Sequence, residues 1–152
     1  FRLIAAGLGA FTSMRIEKGY RLWGTDIHTE YNPYQSGLGF AVSYKKGDFI
    51  GKHALIDAKK SGIKNKLCCM VMENPNDVVM GSEPVMSGDR LLGYVTSADF
   101  GYTVGKAIAY AYLPVGYSDP GTKVDIVYFN ERYPATVSAE PLYDPEGIKM
   151  RS

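Results

Sequence analysis

Arg15, Glu17, Lys18 and Arg21 crowd four charges into one short stretch of the sequence. Two arginines beside a carboxylate can clamp an anionic ligand through paired N–H···O bonds. The same grouping can also be a salt-bridged helix end that fixes the next turn. Aromatic residues follow closely, with Tyr20, Trp23, Tyr31, Tyr34 and Phe40 lying among turn formers. A flat heteroaromatic ligand could stack on such rings, since binding residues concentrate on loops. Equally, amphipathic rings could cover the edge of a core, and the residues alone leave both pairs of readings open.

Other chemistries find little support. Ser13, Ser87 and Ser97 have no histidine nearby and no G-x-S-x-G turn, which argues against a hydrolase triad. GLGAF and GLGF lack the strand–glycine–helix context of a dinucleotide site. His28 and His53 are far apart, and Cys68 and Cys69 are adjacent, so no zinc-ligand spacing is present. Adjacent side chains on a strand point to opposite faces, so the two cysteines read as small buried hydrophobes in a reducing compartment. Acidic residues such as Asp99, Asp125 and Glu131 are not set against one another by their spacing.

Charge and hydropathy narrow the class further. Seventeen Lys and Arg against sixteen Asp and Glu give a formal net charge of +1, without the basic face that nucleic acid requires. The opening FRLIAAGLGAF is apolar but far short of the roughly 20 residues of a membrane span, and it lacks the basic start of a secretory signal. A soluble protein with no membrane partner is expected. Phe1 in place of Met implies a chain that is processed or cut from something longer.

These residues must be held by elements that the pattern also predicts. Ala5 to Glu17 reads as a helix in which Leu8, Phe11 and Met14 offer an apolar face, with Gly19 as a stop behind Lys18. Residues 21–37 read as an irregular connection, and Phe40, Val42 and Tyr44 alternate as a strand would. FIGKHALIDAKKSG is a short amphipathic helix ending in Lys59, Lys60 and Gly62. After Lys64 the chain turns β-rich: LCCMVME, a strand through Leu92, Tyr94 and Thr96 behind a turn at Ser87-Gly88-Asp89, KAIAYAYLP, then TKVDIVYF and RYPATVSAEPLY joined at Asn130-Glu131. About six short strands without intervening helices predict a small barrel or sandwich. The fold class is α+β, with a boundary near Gly62 to Asn65.

Taken in order, several phrases resemble the glycine cleavage T-protein (aminomethyltransferase) family. They are AFTSMRIEKGYRLWGTDI at 10–27, NPYQSGLGFAV, DFIGKHAL, GYVTS at 93–97, IAYAYLP at 108–114 and PLYDPEG at 141–147. RIEKGYRLWG, GDFIGKHAL and YTVGKAIAYAYLP are closer to the dimethylglycine and sarcosine dehydrogenases. In those fusions a flavin domain oxidises an N-methyl group, and a T-protein-like portion passes the one-carbon unit to tetrahydrofolate.

The resemblance implies that residues 1–63 finish the folate-binding domain and that residues 64–152 form a six-stranded antiparallel β-barrel. It implies tetrahydrofolate as cofactor, with FAD in an upstream domain and a small methylated amine as substrate. The catalytic aspartate and the pterin-holding glutamate would lie upstream, leaving no catalytic residue and no metal ligand here. Phe11, Arg15, Tyr20, Trp23 and Tyr143 are the expected folate-binding residues. Phe11 is a departure, because T-proteins commonly place a folate-contacting arginine there and an apolar ring cannot pair a carboxylate. A free-standing aminomethyltransferase and a non-catalytic regulatory relative of the same fold are the alternatives. The location implied is cytoplasmic, or the mitochondrial matrix in a eukaryote.

Overall fold

Six strands close on themselves in the order β1-β4-β3-β2-β5-β6, every neighbouring pair antiparallel. The computed structural model describes residues 3–151; Phe1, Arg2 and Ser152, which belong to stretches read above, lie outside them. The strands are β1 (Asn65–Met72), β2 (Pro84–Ser87), β3 (Arg90–Gly101), β4 (Lys106–Pro114), β5 (Lys123–Tyr128) and β6 (Glu131–Ser138). Helix α1 (Leu8–Glu17) and helix α2 (Lys52–Ser61) precede them. The α+β class and the antiparallel barrel are therefore as the sequence predicts.

The barrel closes because its strands alternate. Cys68, Met70 and Met72 of β1 point inward with Val85, Leu92, Val95, Val124, Ile126, Ala135 and Val137. Strand β4 is buried along nearly all its length, and its two faces do different work. Ala107, Ala109, Ala111 and Leu113 fill the barrel, where small side chains fit the narrow interior. Ile108, Tyr110 and Tyr112 project outward and join Ile16, Leu67 and Cys69 in a second cluster beneath α1. Cys68 and Cys69 thus fall in opposite clusters, as period-two alternation requires.

The turns follow local backbone chemistry. Gly88, at φ 56°, sits in the two-residue β2–β3 connection. The β5–β6 turn falls on Phe129-Asn130 rather than Asn130-Glu131, because Tyr128 pairs directly with Glu131. Both turn residues take positive φ, 49° and 65°, which matches the right-handed twist of a hairpin. Helix α2 ends, as expected, on Lys59 and Lys60 with Gly62 at φ 73°.

Two expectations are corrected. Phe40, Val42 and Tyr44 do not form a strand: Gly39–Ala41 is one 3-10 turn, and Phe40 is exposed. Ala41 and Val42 donate locally to Leu38 and Gly39, so the backbone is satisfied without a strand partner. Helix α1 starts at Leu8, not Ala5, since Gly7 is extended and gives no side-chain cap. Leu8, Phe11 and Met14 also face away from the barrel and are exposed, whereas Ile16 is buried together with Ser13 and Glu17.

Close strand approach makes one glycine decisive. A Cβ on Gly93 of β3 would collide with the Tyr112 carbonyl oxygen of β4, whereas one on Gly116 meets open space. We expect Gly93→Ala to cost about 2 kcal/mol or more, because backbone must move to admit the methyl group. Gly116→Ala should stay within about 0.5 kcal/mol of the parent. Urea unfolding of both variants tests this, and equal stabilities would show that the two strands do not approach as described.

Candidate functional site

The face of the barrel that carries Tyr110 and Tyr112 is where the charged and aromatic residues converge. Its centre is Asp26, 1 % exposed. Arg15 Nη1 donates to Asp26 Oδ2 at 2.6 Å, and the Leu22 backbone N–H donates to the same oxygen at 2.9 Å. The hydroxyls of Thr96 and Ser97 donate to Oδ1 at 2.7 and 2.6 Å. Tyr112 completes the arrangement by donating to the Asp26 carbonyl at 2.8 Å.

Two consecutive strand residues should not reach one carboxylate, since their side chains point to opposite faces. The register of β3 against β4 shifts between Val95 and Ser97, and this bulge turns Thr96 and Ser97 onto the same acceptor. Charged donors at this burial are worth more than their exposed counterparts, because the alternative is an unpaired ion.

Helix α1 is gripped a second time through its polar side. Ser13 donates to the Phe100 carbonyl at 2.7 Å, and Glu17 Oε1 accepts the backbone N–H groups of Thr103 and Val104 at 2.5 and 3.1 Å. Ser13 and Glu17 stand four apart, so one helix face holds the end of the β3–β4 hairpin. The Tyr143 N–H donates to the Glu17 carbonyl at 3.0 Å, which draws the C-terminal segment against the helix end. Lys18 fixes it further, donating to the Asp144 carbonyl at 2.5 Å and to Oδ2 at 3.1 Å.

Arg21 pairs with Glu140 at 2.5 and 3.1 Å, and Tyr110 donates to the same carboxylate at 2.5 Å. Burial alone would lower the Arg21 pKa, but the Glu140 hydrogen bond and charge outweigh it and raise it. Burial first, then the neighbouring Cys69 and Glu140, push Tyr110 up. Burial likewise raises the Cys68 thiol to about 11 and Cys69 to about 12, so both remain protonated and unreactive near neutral pH.

Between α1 and the C-terminal segment lies a cleft of about 460 Å³. Phe11, Met14 and Tyr20 line it together with Tyr143, and Lys18, Asp144 and Lys149 carry its charge. Arg15 contributes to the wall, but its guanidinium is turned to Asp26. Its Nε is buried and has no hydrogen-bond partner among the described residues. Of the residues expected from sequence, Phe11, Arg15, Tyr20 and Tyr143 are brought together on this cleft. Trp23 is not on it: the ring stands 69 % exposed in the turn before Ile27. Tyr31 stacks on Tyr112 at 3.6 Å between ring centres, covering a core edge rather than a site.

Sequence reasoning missed Asp26, Lys149, Met14 and Asp144 as parts of this region. Asp26 gave no signal because, apart from the Leu22 backbone N–H, its partners lie 11 to 86 positions away. Lys149 reaches the cleft through the turn around Gly147, with its Nζ 4.9 Å above the Tyr143 ring. The Arg15, Glu17, Lys18 and Arg21 grouping is mainly a helix end in which each charge has its own fixed partner.

Comparison with known proteins bears on what this face does. The model described as the glycine cleavage T-protein C-terminal barrel domain matches residues 65–144, and that described as the GCVT N-terminal domain matches residues 1–46. The chain is similar to mitochondrial dimethylglycine dehydrogenase of Homo sapiens, with 34 % identity over 95 % of this chain and 17 % of that protein. It is 39 % identical to the aminomethyltransferase of Symbiobacterium thermophilum over 93 % of this chain and 38 % of that one. Mitochondrial sarcosine dehydrogenase of Mus musculus matches at 34 % over 98 % of this chain and 17 % of its own length. The chain therefore spans well under half the length of these relatives. In structure, aminomethyltransferase T of the glycine cleavage system from Bartonella henselae superposes with a TM-score of 0.83 at 24 % identity, over 90 % of this chain and 38 % of that one, which shows the same fold.

The buried pair and the C-terminal tether each have a measurable signature. Asp26→Ala should cost about 3–5 kcal/mol in urea unfolding, because Arg15 is left buried and unpaired, and the Arg15→Met, Asp26→Leu double variant should be less damaged than Asp26→Ala alone. A double variant as unstable as Asp26→Ala would overturn this account. Burial pushes the Asp144 carboxyl up, but Lys18, the Ile148 and Lys149 backbone N–H groups and the Lys18 charge outweigh it, so its pKa falls below the ordinary 3.8. A carboxylate lowered in the folded state contributes stability above 3.8 that disappears as pH falls through its folded value. Amide exchange at Tyr143 should accordingly speed up in that acid range, and Asp144→Asn should remove the pH dependence.

Proposed function

The chain belongs to the glycine cleavage T-protein family, and from that premise we propose that it forms the C-terminal, folate-linked portion of an FAD-dependent N-methyl amine dehydrogenase or oxidase. In this reading residues 1–63 complete a folate-binding domain and residues 64–152 form its barrel. The observation that carries it is the cleft on α1, where Phe11, Met14, Tyr20 and Tyr143 form an apolar and aromatic surface beside the charged Lys18, Asp144 and Lys149. Its volume lies within the range of small-molecule sites. The near-complete matches to dimethylglycine and sarcosine dehydrogenases support the choice among family activities.

Tetrahydrofolate, when bound, would take up the one-carbon unit left by oxidation of an N-methyl group. The chain's own residues would bind, orient and exclude water. Phe11, Tyr20 and Tyr143 present apolar rings to the ligand, and Met14 fills the floor between them. Arg15 would act by fixing the helix through Asp26. Trp23, outside the cleft, would join the site through a surface beyond it. The barrel would serve as a rigid wall, which keeps water from a reactive methylene unit.

Nothing among the described residues fits a flavin. Gly7 and Gly9 open α1, but no strand leads into them among the described residues, so FAD and the catalytic aspartate would be held by an upstream part of a longer protein. The partner would be a small methylated amine, and the location cytoplasmic or, in a eukaryote, the mitochondrial matrix. The 39 % identity to an aminomethyltransferase favours a second reading, transfer from a lipoyl carrier without a flavin.

Assays of the full-length protein separate the two. With dimethylglycine or sarcosine and an artificial electron acceptor, we expect amine-dependent reduction, with methylenetetrahydrofolate formed when tetrahydrofolate is present and formaldehyde when it is not. A protein purified without flavin that acts on an aminomethylated lipoyl carrier would support the transferase instead. Tyr143→Ala should raise the KM for tetrahydrofolate about tenfold with little change in the KM for amine.

A further inference from the structure

One stretch away from the cleft concentrates the positive charge of the chain. Residues 45–64 hold six lysines and two aspartates, a net charge of +4, in a chain whose total is +1. Everything outside that stretch is therefore net −3. Elsewhere Arg15, Lys18, Arg21, Lys123 and Arg132 each pair with a carboxylate. Among the described residues, Lys45, Lys46, Lys52, Lys59, Lys60 and Lys64 form no ion pair. Like charges gathered without a counter-charge repel one another, and an outside carboxylate relieves that repulsion.

The fold, and not only the sequence, brings these lysines together. Lys59 Nζ lies 5.8 Å from the centre of the Tyr44 ring, and Lys46 Nζ lies 4.9 Å from that of Phe49. Lys52 Nζ donates to the Gly47 carbonyl at 3.0 Å. Residues 44–49 thus run beside α2, and the Tyr34 and Tyr44 hydroxyls hydrogen-bond to tie them to the preceding turn. Contacts with rings and a carbonyl position an ammonium without cancelling its charge. Helix α2 itself has no buried residue, and its Leu55 and Ile56 are half-buried. Ile50, between Lys46 and Lys52 in the chain, is fully exposed.

We propose that this patch docks an acidic segment of a partner protein, with Ile50 as the apolar anchor and the lysines as its charged rim. An interface of that kind draws affinity from a central apolar residue and partner choice from the surrounding charges. The composition of the patch separates this occupant from other polyanions. Nucleic acid is bound through arginine forks and exposed rings, but residues 45–64 contain no arginine, and Tyr44 and Phe49 are half-buried beside lysines. A membrane surface takes up a broad apolar helix face, whereas the apolar side of α2 is half-buried and only Ile50 projects. Lysine ammonium groups, as mobile point charges, suit carboxylates spread along a segment.

The test uses the full-length protein and synthetic peptides of repeating Glu-Glu-Leu, Gln-Gln-Leu and Glu-Glu-Ser. Calorimetry should give the Glu-Glu-Leu peptide an affinity about tenfold or more above the Gln-Gln-Leu peptide, falling as salt rises. Replacing leucine by serine should cost about fivefold. The triple variant Lys45→Gln, Lys46→Gln, Lys59→Gln should lose about tenfold for Glu-Glu-Leu, while Lys123→Gln on β5 should stay within about twofold of the parent. The peptide comparison on the unsubstituted protein needs no variant to fold. No binding of Glu-Glu-Leu, equal binding of either other peptide, or an unaffected triple variant would overturn the proposal. Tighter binding to phosphatidylcholine vesicles with about 30 % phosphatidylserine, or to single-stranded DNA, would overturn it in favour of a membrane or a nucleic acid. Each of these results leaves the folate reading of the cleft as it stands.

Discussion

A carboxylate taken out of water must be surrounded by donors, and the structure of this chain is arranged around one that is. Asp26 accepts from Arg15, the Leu22 backbone, Thr96 and Ser97, while its carbonyl accepts from Tyr112. These partners come from helix α1, the connection after it, and strands β3 and β4. Leaving the charge unpaired would cost several kcal/mol, so the four pieces are held together or lost together. The β3 bulge exists on the same terms, since without it either Thr96 or Ser97 would face away.

That constraint explains why α1 sits on the barrel with its polar side. Ser13, Arg15 and Glu17 are buried because each has a fixed partner on the barrel side, whereas Leu8, Phe11 and Met14 are turned outward. Apart from Ile16, which is fully buried, this reverses the ordinary amphipathic arrangement. The inversion leaves an apolar, aromatic surface exposed beside the C-terminal segment, and this surface is the wall of the cleft. Apolar area is costly to leave in water, so a helix that presents it is consistent with a surface meant for a ligand or a neighbouring domain. The node that fixes the helix and the cleft that receives a ligand are thus two sides of one arrangement.

The barrel contributes stiffness. Strand β4 is packed on both faces, alanines inward and Ile108, Tyr110 and Tyr112 outward, so the outer cluster under α1 rests on an interior that cannot yield. Tyr110 and Tyr112 spend their rings in that cluster and their hydroxyls on Glu140 and Asp26. Position in the cleft is therefore set by residues that never line it. Family members that differ in reaction share this part, which accords with a wall and scaffold rather than the seat of the chemistry.

Much of this was legible in the residues themselves. Alternation, turn formers and a C-terminal glycine specify the strands, two of the hairpins and helix α2, because they depend on neighbours a few positions away. The ordered phrases carry the family, and of the five residues expected in one site Phe11, Arg15, Tyr20 and Tyr143 share one cleft while Trp23 stands off it. The segment around Phe40 read as a strand because alternation does not say whether a partner strand is present. Asp26, Lys149 and the inward turn of Ser13 and Glu17 were invisible for a related reason. The partners of Asp26 on α1 and the barrel, like those of Ser13 and Glu17, lie 11 to 87 positions away, a distance that leaves no local pattern, and Lys149 meets Tyr143 only once the chain has turned at Gly147. Sequence determined the elements and the residue types available for binding; tertiary structure decided which face of α1 is buried and which charges pair with one another, because burial selects the polar side wherever its partners are already in place.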